Sequence, residues 1–562
     1  MSSTTEAGKA GIPGVHLTGD QIIQETTLQY LKALQDAWGI PGVSLAIVRM
    51  NEDKQWDKQT IGMGRKDVDG DRVTEQTLFS IASNSKLFTA ISTGLVLSES
   101  NSSWDTPVQE VIPSFQLMDK EAEERATFIE LLSHQTGLPR HGLSYDTDIT
   151  PEDVVKSLAY LKPSAPFKSC YQYTNLTYVA ASLLPKQILG QQLEEFVKKN
   201  IWDPLGMTQS YYDIELARST GNLSSGFARK LSVGQSGVYD VERCKEDIKQ
   251  ARGKLSEEGR GLEDSLGWPV QQLAGPGGVI TCAKDLTIWL QTLLLKGRHP
   301  EMQNQIIPSW IIEDTIKPQV LIKAKPDDPE ISSKMYGLGQ EIYTYRGHQV
   351  IDHPGRAPGQ KSFVIRLPDK MIGVAVMCND DEFGDMFNEV AKWRIIDDLL
   401  GLDPIDFKTR KLNKFLEGKK PKAKADQPCQ HPLQNGFGSV PGVYHNAAYG
   451  DLKLRSLSST HQDNTSLQGP NWSFVADVNK AFVKEFLFEH FDKDIFNVTA
   501  KLTFPETGAV MWDMIGQGIQ ARFGEGGMGL QHIWGAGGGV SDGNMERDGI
   551  KNGSEVFFTK IS

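Results

Sequence analysis

"FSIASNSKLFTAIS", residues 79–92, places Ser83 and Lys86 three positions apart where a helix begins. Leu87, Phe88, Ile91 and Leu95 recur at a 3.6-residue period, so the stretch reads as a helix with one apolar face. Residues three apart on a helix are surface neighbours, which sets the Lys86 amine beside the Ser83 hydroxyl. The positive end of the helix favours negative charge developing on that oxygen. An unaided serine is a weak nucleophile and needs a base within hydrogen-bond reach. A partly desolvated lysine, its pKa lowered, is such a base. Ser-x-x-Lys is short enough to arise by chance, so its meaning depends on partners elsewhere in the chain.

Two stretches supply them. In "CYQYTNLTYVAASLL" (170–184), Tyr173 and Asn175 open another helical run. In "VIDHPGRAPGQKSFVIRLPD" (350–369), His353 and Gly355 precede an apolar strand. With these three motifs in order, the chain resembles the serine hydrolases of the penicillin-binding protein and class C β-lactamase fold. Within that group it is most similar to the carboxylesterase branch and its acyltransferase relatives, whose motifs are Ser-x-x-Lys, Tyr-x-Asn and Lys- or His-x-Gly. "GIPGVSLAIV" (39–48), "LLSHQTGLPR" (131–140), "IWDPLGMTQS" (201–210), "GPGGVITCAKDLTIWL" (275–290) and "YGLGQ" (336–340) extend the resemblance over residues 20–402.

The resemblance implies an α/β sandwich with an inserted helical subdomain, built from residues 1–405. It makes Ser83 the nucleophile, with Lys86 or Tyr173 as its base. The two would titrate as a coupled pair. Asn175 would orient the lysine and donate to a substrate carbonyl. The backbone N–H groups of Ser83 and Arg356 would stabilise the oxyanion, a contribution of about 3–4 kcal/mol per donor. Gly355 and Arg356 would line the substrate, and His353 would act in catalysis or positioning. Each residue also has a plain structural alternative: Ser83 as a cap, Lys86 as a helix-surface residue, Tyr173 and Asn175 as a helix start, and His353 as a strand-start histidine. The chain departs from the β-lactamase pattern at three positions. His353 replaces a lysine, Pro354 a small hydroxyl residue, and Arg356 stands where many esterases have glycine. Losing the lysine and the hydroxyl removes two usual carboxylate anchors, which disfavours β-lactam substrates.

The 562 residues exceed one ordinary core, and 39% hydrophobic with 23% charged content is that of a folded protein. A net charge of −12 argues against a nucleic-acid partner. Five scattered cysteines without CxxC spacing read as free thiols in a reducing compartment, and no zinc pattern is present. No apolar run is long enough to span a membrane, and "MSSTTEAGKAGIPGVHL" lacks the core of a signal peptide, so a cytoplasmic location is expected.

A polar, glycine-rich stretch at 219–268 is too long for an ordinary loop and reads either as a functional lid that lines one wall of the pocket or as a partly disordered, solvated excursion. "KTRKLNKFLEGKKPKAK" (408–424), with eight basic residues and one acidic, reads as a solvated linker, assigned to 406–430. Beyond it, short alternating runs such as "GVYHNAAYGDLKLRSL", "IFNVTAKLTF" and "SEVFFTKIS" predict a small antiparallel β-barrel over 431–562. This part resembles the lipocalin-like barrel appended to many such hydrolases. The glycine cluster 534–543 reads as a barrel loop. The expected protein is a serine hydrolase or acyltransferase. It would act on a small ester or amide through an acyl-Ser83 intermediate, with no metal or organic cofactor and no membrane partner. A D-amino-acid amidase or peptidase of the same fold is the alternative within the enzymes. An inactive interaction protein that keeps the fold is the alternative outside them.

Overall fold

The computed structural model describes residues 12–100, 102–227, 270–418, 431, 433, 436–457, 472–503, 510–513, 518–534 and 543–562. The stretch expected as a lid, beyond Phe227, and the glycine cluster 535–542 lie outside the described residues.

The N-terminal part is built on one antiparallel sheet. Its strands are β1 (Val15–Gly19), β2 (Gly42–Met50), β3 (Trp56–Gly64), β6 (Val320–Lys323), β7 (Lys334–Tyr336), β8 (Glu341–Tyr345), β9 (His348–Ala357), β10 (Gln360–Leu367) and β11 (Ile372–Cys378). They run in the order β1-β3-β2-β11-β10-β9-β8-β7-β6. Two short strands, β4 (Phe79–Ser80) and β5 (Ile280–Thr281), pair separately. Side chains alternate across the sheet and divide the core in two. Leu45, Ile47, Phe363, Ile365, Val374 and Val376 face one cluster, shared with the helices Glu25–Trp38 and Gly384–Leu399. Ala46, Val48, Val364, Ala375 and Met377 face the other, shared with the helices Lys86–Glu99 and Ala283–Leu294.

The helix Lys86–Glu99 is buried nearly all round, from Lys86 to Leu97, rather than along one face. The sheet lies on one side of it and the helical region on the other. Phe88 stacks on Trp289 with centroids 4.3 Å apart, worth about 0.5–1.5 kcal/mol beyond burial. Polar Thr89 is satisfied there by donating to the Gly275 carbonyl at 2.7 Å.

One expectation needs correction. Residues 407–418, expected as the start of a linker, form a helix held to the sheet domain. Phe407 is buried, Arg410 forks onto Glu330 at 2.8 and 3.1 Å, and Lys411 and Lys414 reach Asp328 and Asp327 at 2.9 and 3.0 Å. The basic run has acidic partners far away in the sequence, which composition cannot reveal. His353 precedes a strand as expected, β10, and itself lies within β9. Pro354 is tolerated there because β8 pairs with β9 only as far as Asp352. From His353 onwards β9 pairs with β10 alone, leaving an open edge where a missing N–H breaks no ladder.

The C-terminal strands are β12 (Gly442–Asn446), β13 (Gly450–Ser456), β14 (Trp472–Asp477), β15 (Glu485–Asp492), β16 (Ile495–Thr503), β17 (Val510–Asp513), β18 (Gln520–Gly524), β19 (Gly527–Gln531) and β20 (Val556–Lys560). They close into an eight-stranded antiparallel barrel in the order β12-β13-β14-β15-β16-β18-β19-β20, with β17 as a flap on β16. Among the described residues no helix is long and apolar enough to cross a membrane.

The barrel seats on residues 141–148. Ala481 N–H donates to the Tyr145 carbonyl at 3.0 Å, and buried Lys480 pairs with Asp146 at 2.9 Å. His141 is buried between the Lys162 carbonyl (2.9 Å from Nε2) and the Tyr449 hydroxyl (2.8 Å from Nδ1). Since the carbonyl can only accept, Nε2 carries the proton and Nδ1 accepts from Tyr449.

Burial pushes His141 down to about 4 from 6.5. Below pH 6.5 the unfolded chain therefore binds a proton that the folded chain refuses, and stability falls as the pH drops towards 4. At pH 5 this one residue costs about 2 kcal/mol. Denaturant unfolding at pH 7 and pH 5 should show a drop smaller by about that amount in His141→Gln. Equal drops in both proteins would clear His141 of the acid sensitivity.

Candidate active site

Ser83 lies on a 3-10 turn, Ala82–Ser85, that runs into the helix starting at Lys86. Ala82 holds φ at +46°, a left-handed conformation unusual for a residue with a side chain. Such strained turns persist where surrounding structure fixes them. Here Ser85 accepts from the Val279 N–H at 3.0 Å, and Gln360 accepts from the Ser80 N–H at 2.7 Å. The open edge of β9 docks against the same turn. A Cβ at Gly355 would stand 2.2 Å from the Ile81 carbonyl and 2.1 Å from Ser362 Oγ. Glycine is needed there for the strand to meet the nucleophile turn, a nearer cause than the approach of a substrate.

Four of the expected residues meet at one point. Lys86 Nζ lies 3.1 Å from Ser83 Oγ, 2.8 Å from Asn175 Oδ1 and 2.9 Å from the Pro276 carbonyl. Tyr173 donates its hydroxyl to Ser83 Oγ at 2.7 Å. Lys86 is fully buried. Burial, and then the charge of Arg140, hold its pKa well below the ordinary lysine value. Burial pushes the Tyr173 phenol up to about 12. Burial thus favours the neutral form of the Lys86 amine and keeps the Tyr173 phenol protonated.

His353 and Arg356 stand apart from this cluster. His353 Nδ1 lies 2.7 Å from the Pro354 carbonyl and so carries the proton, while Nε2 accepts from Tyr336 at 3.0 Å. Its ring centroid is 6.2 Å from that of Tyr173, and among the described residues it makes no hydrogen bond to Ser83. Burial, then the nearby Lys86 charge, lower its pKa to about 4, so it stays neutral at physiological pH. Arg356 alternates to the opposite face of β9, where its guanidinium pairs with Asp385 at 2.7 Å. Its side chain is directed away from the nucleophile.

The structure adds residues that the motifs did not single out. His134 packs against Tyr171, Tyr173, Tyr178 and Tyr336, with centroids 4.5–5.5 Å away. Its Nδ1 accepts from the Thr174 N–H at 3.2 Å and so fixes the turn between Tyr173 and Asn175. The Arg140 guanidinium sits 4.9 Å from the Tyr173 ring centroid, and Lys86 Nζ 4.8 Å from it. The Arg140 guanidinium and the Lys86 amine therefore both face the ring whose oxygen touches Ser83. His134 and Arg140 fall in "LLSHQTGLPR", the one available signal for them. Among the described residues no group of three or more His, Cys, Asp or Glu is placed to hold a metal ion.

The beta-lactamase family model matches residues 29–396. The chain belongs to the beta-lactamase family. Its similarity to named relatives is distant. An unguisins hydrolase, ungD, of Aspergillus violaceofuscus is 26% identical over 392 residues, covering 66% of this chain and 63% of that protein. Its counterpart ungD' of Aspergillus campestris is 27% identical over 398 residues, covering 69% and 67%. Penicillin-binding protein 4 of Amycolatopsis lactamdurans is 22% identical over 367 residues, covering 64% and 87%. The match thus spans less than two thirds of the length of the A. violaceofuscus relative. Among solved structures, the octameric penicillin-binding protein homologue from Pyrococcus abyssi shares the fold. Its TM-score is 0.52 at 19% identity, over 90% of this chain and 97% of that one. This beta-lactamase-family chain therefore carries the serine hydrolase fold, followed by a closed barrel.

Proposed function

We propose that the protein cleaves a small-molecule ester or amide through an acyl-Ser83 intermediate, with Lys86 as general base and Tyr173 as general acid. The observation that carries this is the set of partners around Lys86 Nζ. A neutral amine has two N–H bonds and one lone pair. Asn175 Oδ1 and the Pro276 carbonyl can only accept, so they take both N–H bonds. The lone pair is left for Ser83, 3.1 Å away. Ser83 then gives its proton to Lys86 and accepts from Tyr173, keeping one lone pair for attack.

In the first half-reaction Ser83 Oγ bonds to the acyl carbon as its proton passes to Lys86. The bond to the leaving group breaks, and Tyr173 protonates the departing oxygen or nitrogen. The resulting phenolate is offset by the Lys86 ammonium and by Arg140. In the second half-reaction, water gives a proton to Tyr173 and attacks the acyl carbon. The Ser83–acyl bond breaks, and Lys86 returns its proton to Ser83. Atoms and protons balance without a cofactor. Relatives named as hydrolases favour water over another acyl acceptor, and hence hydrolysis over transfer. The complete set of nucleophile, base and acid weighs against an inactive interaction protein.

Intact-mass measurement after treatment with a fluorophosphonate tests this. One adduct per chain is expected, absent in Ser83→Ala, and forming faster as the pH rises through the lowered Lys86 pKa. Labelling that persists in Ser83→Ala would refute the assignment.

A further inference from the structure

Among the described residues, Arg366 is a buried guanidinium with no carboxylate in ion-pair contact. It lies on β10, in register with Ile351 of β9 and Gly373 of β11. Its side chain, 3% exposed, enters the layer between the sheet and the helices Lys86–Glu99 and Ala283–Leu294. There it lines a small cavity of about 10 Å³, measured as space for the centre of a water-sized particle. Ile81, Leu87, Leu286, Trp289 and Val364 supply the apolar wall.

The polar side chains in that wall are already engaged. Gln340 accepts from Arg366 Nη1 and donates to Thr315 at 3.0 Å. Asn84 turns its amide N–H towards Ser362 at 2.9 Å. His353 has both ring nitrogens occupied, by Tyr336 and by the Pro354 carbonyl. Arg366 Nη2 is left buried with no acceptor among the described residues.

Among the described residues no carboxylate lines the cavity. Asp352 is the one acid that acts on Arg366 electrostatically. It follows Ile351 on β9, so its side chain emerges on the opposite face of the sheet, bonded to Tyr343. Burial lowers the guanidinium to about 9, which still leaves it charged at neutral pH. A buried charge without a partner is among the costliest arrangements in a protein interior. A cavity with this much room cannot hold an organic anion, but it can hold one particle of about the size of water.

We infer that the cavity behind the nucleophile turn is a binding site for a single monatomic anion, chloride in physiological solution, held by Arg366 Nη2. The anion supplies the missing counter-charge and braces the contact between Ser362, Asn84 and the Ser83 turn. It lies behind Ser83, outside the substrate cleft, so the inference stands whatever the substrate is.

The test exchanges sodium gluconate for sodium chloride at constant ionic strength and follows the thermal unfolding midpoint. Wild-type protein should gain about 2 °C or more, along a saturable curve. Arg366→Met, which removes the charge at similar volume, should show no such gain. Wild-type crystals grown in bromide should show an anomalous peak beside Arg366 Nη2. A wild-type midpoint indifferent to the exchange, an equal gain in Arg366→Met, or a cavity without anomalous signal would each overturn the inference. If Arg366→Met does not fold, the wild-type titration and the bromide map decide alone.

Discussion

Ser83→Ala and Lys86→Met should each lower kcat for p-nitrophenyl acetate by at least ~10³-fold, and the double variant should be no slower. Neither residue has a function without the other. Without Oγ there is no acyl acceptor, and without the amine the Ser83 proton has nowhere to go. Methionine is the informative replacement because it fills the buried channel without a charge. A neutral amine in this position contributes two hydrogen bonds, to Asn175 and Pro276. Lys86→Met should therefore remain folded, with a modest loss from those two acceptors of about 1–3 kcal/mol each. Turnover is measured by nitrophenol release, and folding by near-ultraviolet circular dichroism and the unfolding midpoint. The wild-type kcat/KM should rise with pH through an ionisation below the ordinary lysine range, since the neutral amine is the active form. A folded Ser83→Ala protein that kept more than about a tenth of the activity, a barrier change of only 1.4 kcal/mol, would dispose of the mechanism.

Tyr173→Phe should change which step is slow. The substitution keeps the ring between His134, Arg140 and Lys86 and removes only the hydroxyl that donates to Ser83 at 2.7 Å. A p-nitrophenolate leaving group departs without a proton, so acylation by p-nitrophenyl acetate should survive. With this ester Tyr173 first loses its phenol proton to solvent, in balance with the p-nitrophenolate released. Its phenolate then takes a proton from the attacking water, and this hydrolysis of the acyl-enzyme should fall by about 10²–10⁴-fold in the variant. Rapid mixing should therefore give a burst of about one nitrophenol per chain, followed by a slow steady state. Intact-mass analysis during that phase should find Ser83 acetylated. With an alkyl ester, whose leaving group must be protonated, no burst is expected and both steps should be slow. A variant that turned over both esters at the wild-type rate would remove Tyr173 from proton transfer and leave Lys86 as the only shuttle.

Several parts of the fold were readable from local pattern. "GVSLAIVRM" is β2, "QKSFVIRL" is β10 and "IGVAVMC" is β11. β11 is continuously apolar, and β2 and β10 carry the apolar runs "LAIV" and "FVI", because the sheet is covered on both faces, and such runs stand out in a sequence. The barrel was legible for a related reason, as most of its strands show short alternation between turns. The strands that escaped notice have weaker signals. β19 is "GMGLQ", with two glycines, and β9 contains His-Pro-Gly, which by itself reads as a break. Its persistence as a strand depends on pairing with β10, a contact invisible in the local sequence.

Helix geometry linked Ser83 and Lys86 within the sequence, and the resemblance to the serine hydrolases, carried by three motifs in order, added Tyr173 and Asn175. The sequence alone could not determine where the lysine lone pair points. That depends on the Pro276 carbonyl, 190 positions away, and on burial that lowers the pKa of the amine. His353 and Arg356 were likewise visible as residues of interest but not as geometry. Strand parity turns Arg356 to Asp385, and Tyr336 occupies the free nitrogen of His353. The basic run at 408–424 looked solvated until the fold brought Asp327, Asp328 and Glu330 beside its first half. The common cause is that charge, pKa and hydrogen-bond direction are set by neighbours in space, and in a sandwich of this kind most of those neighbours are distant in the chain.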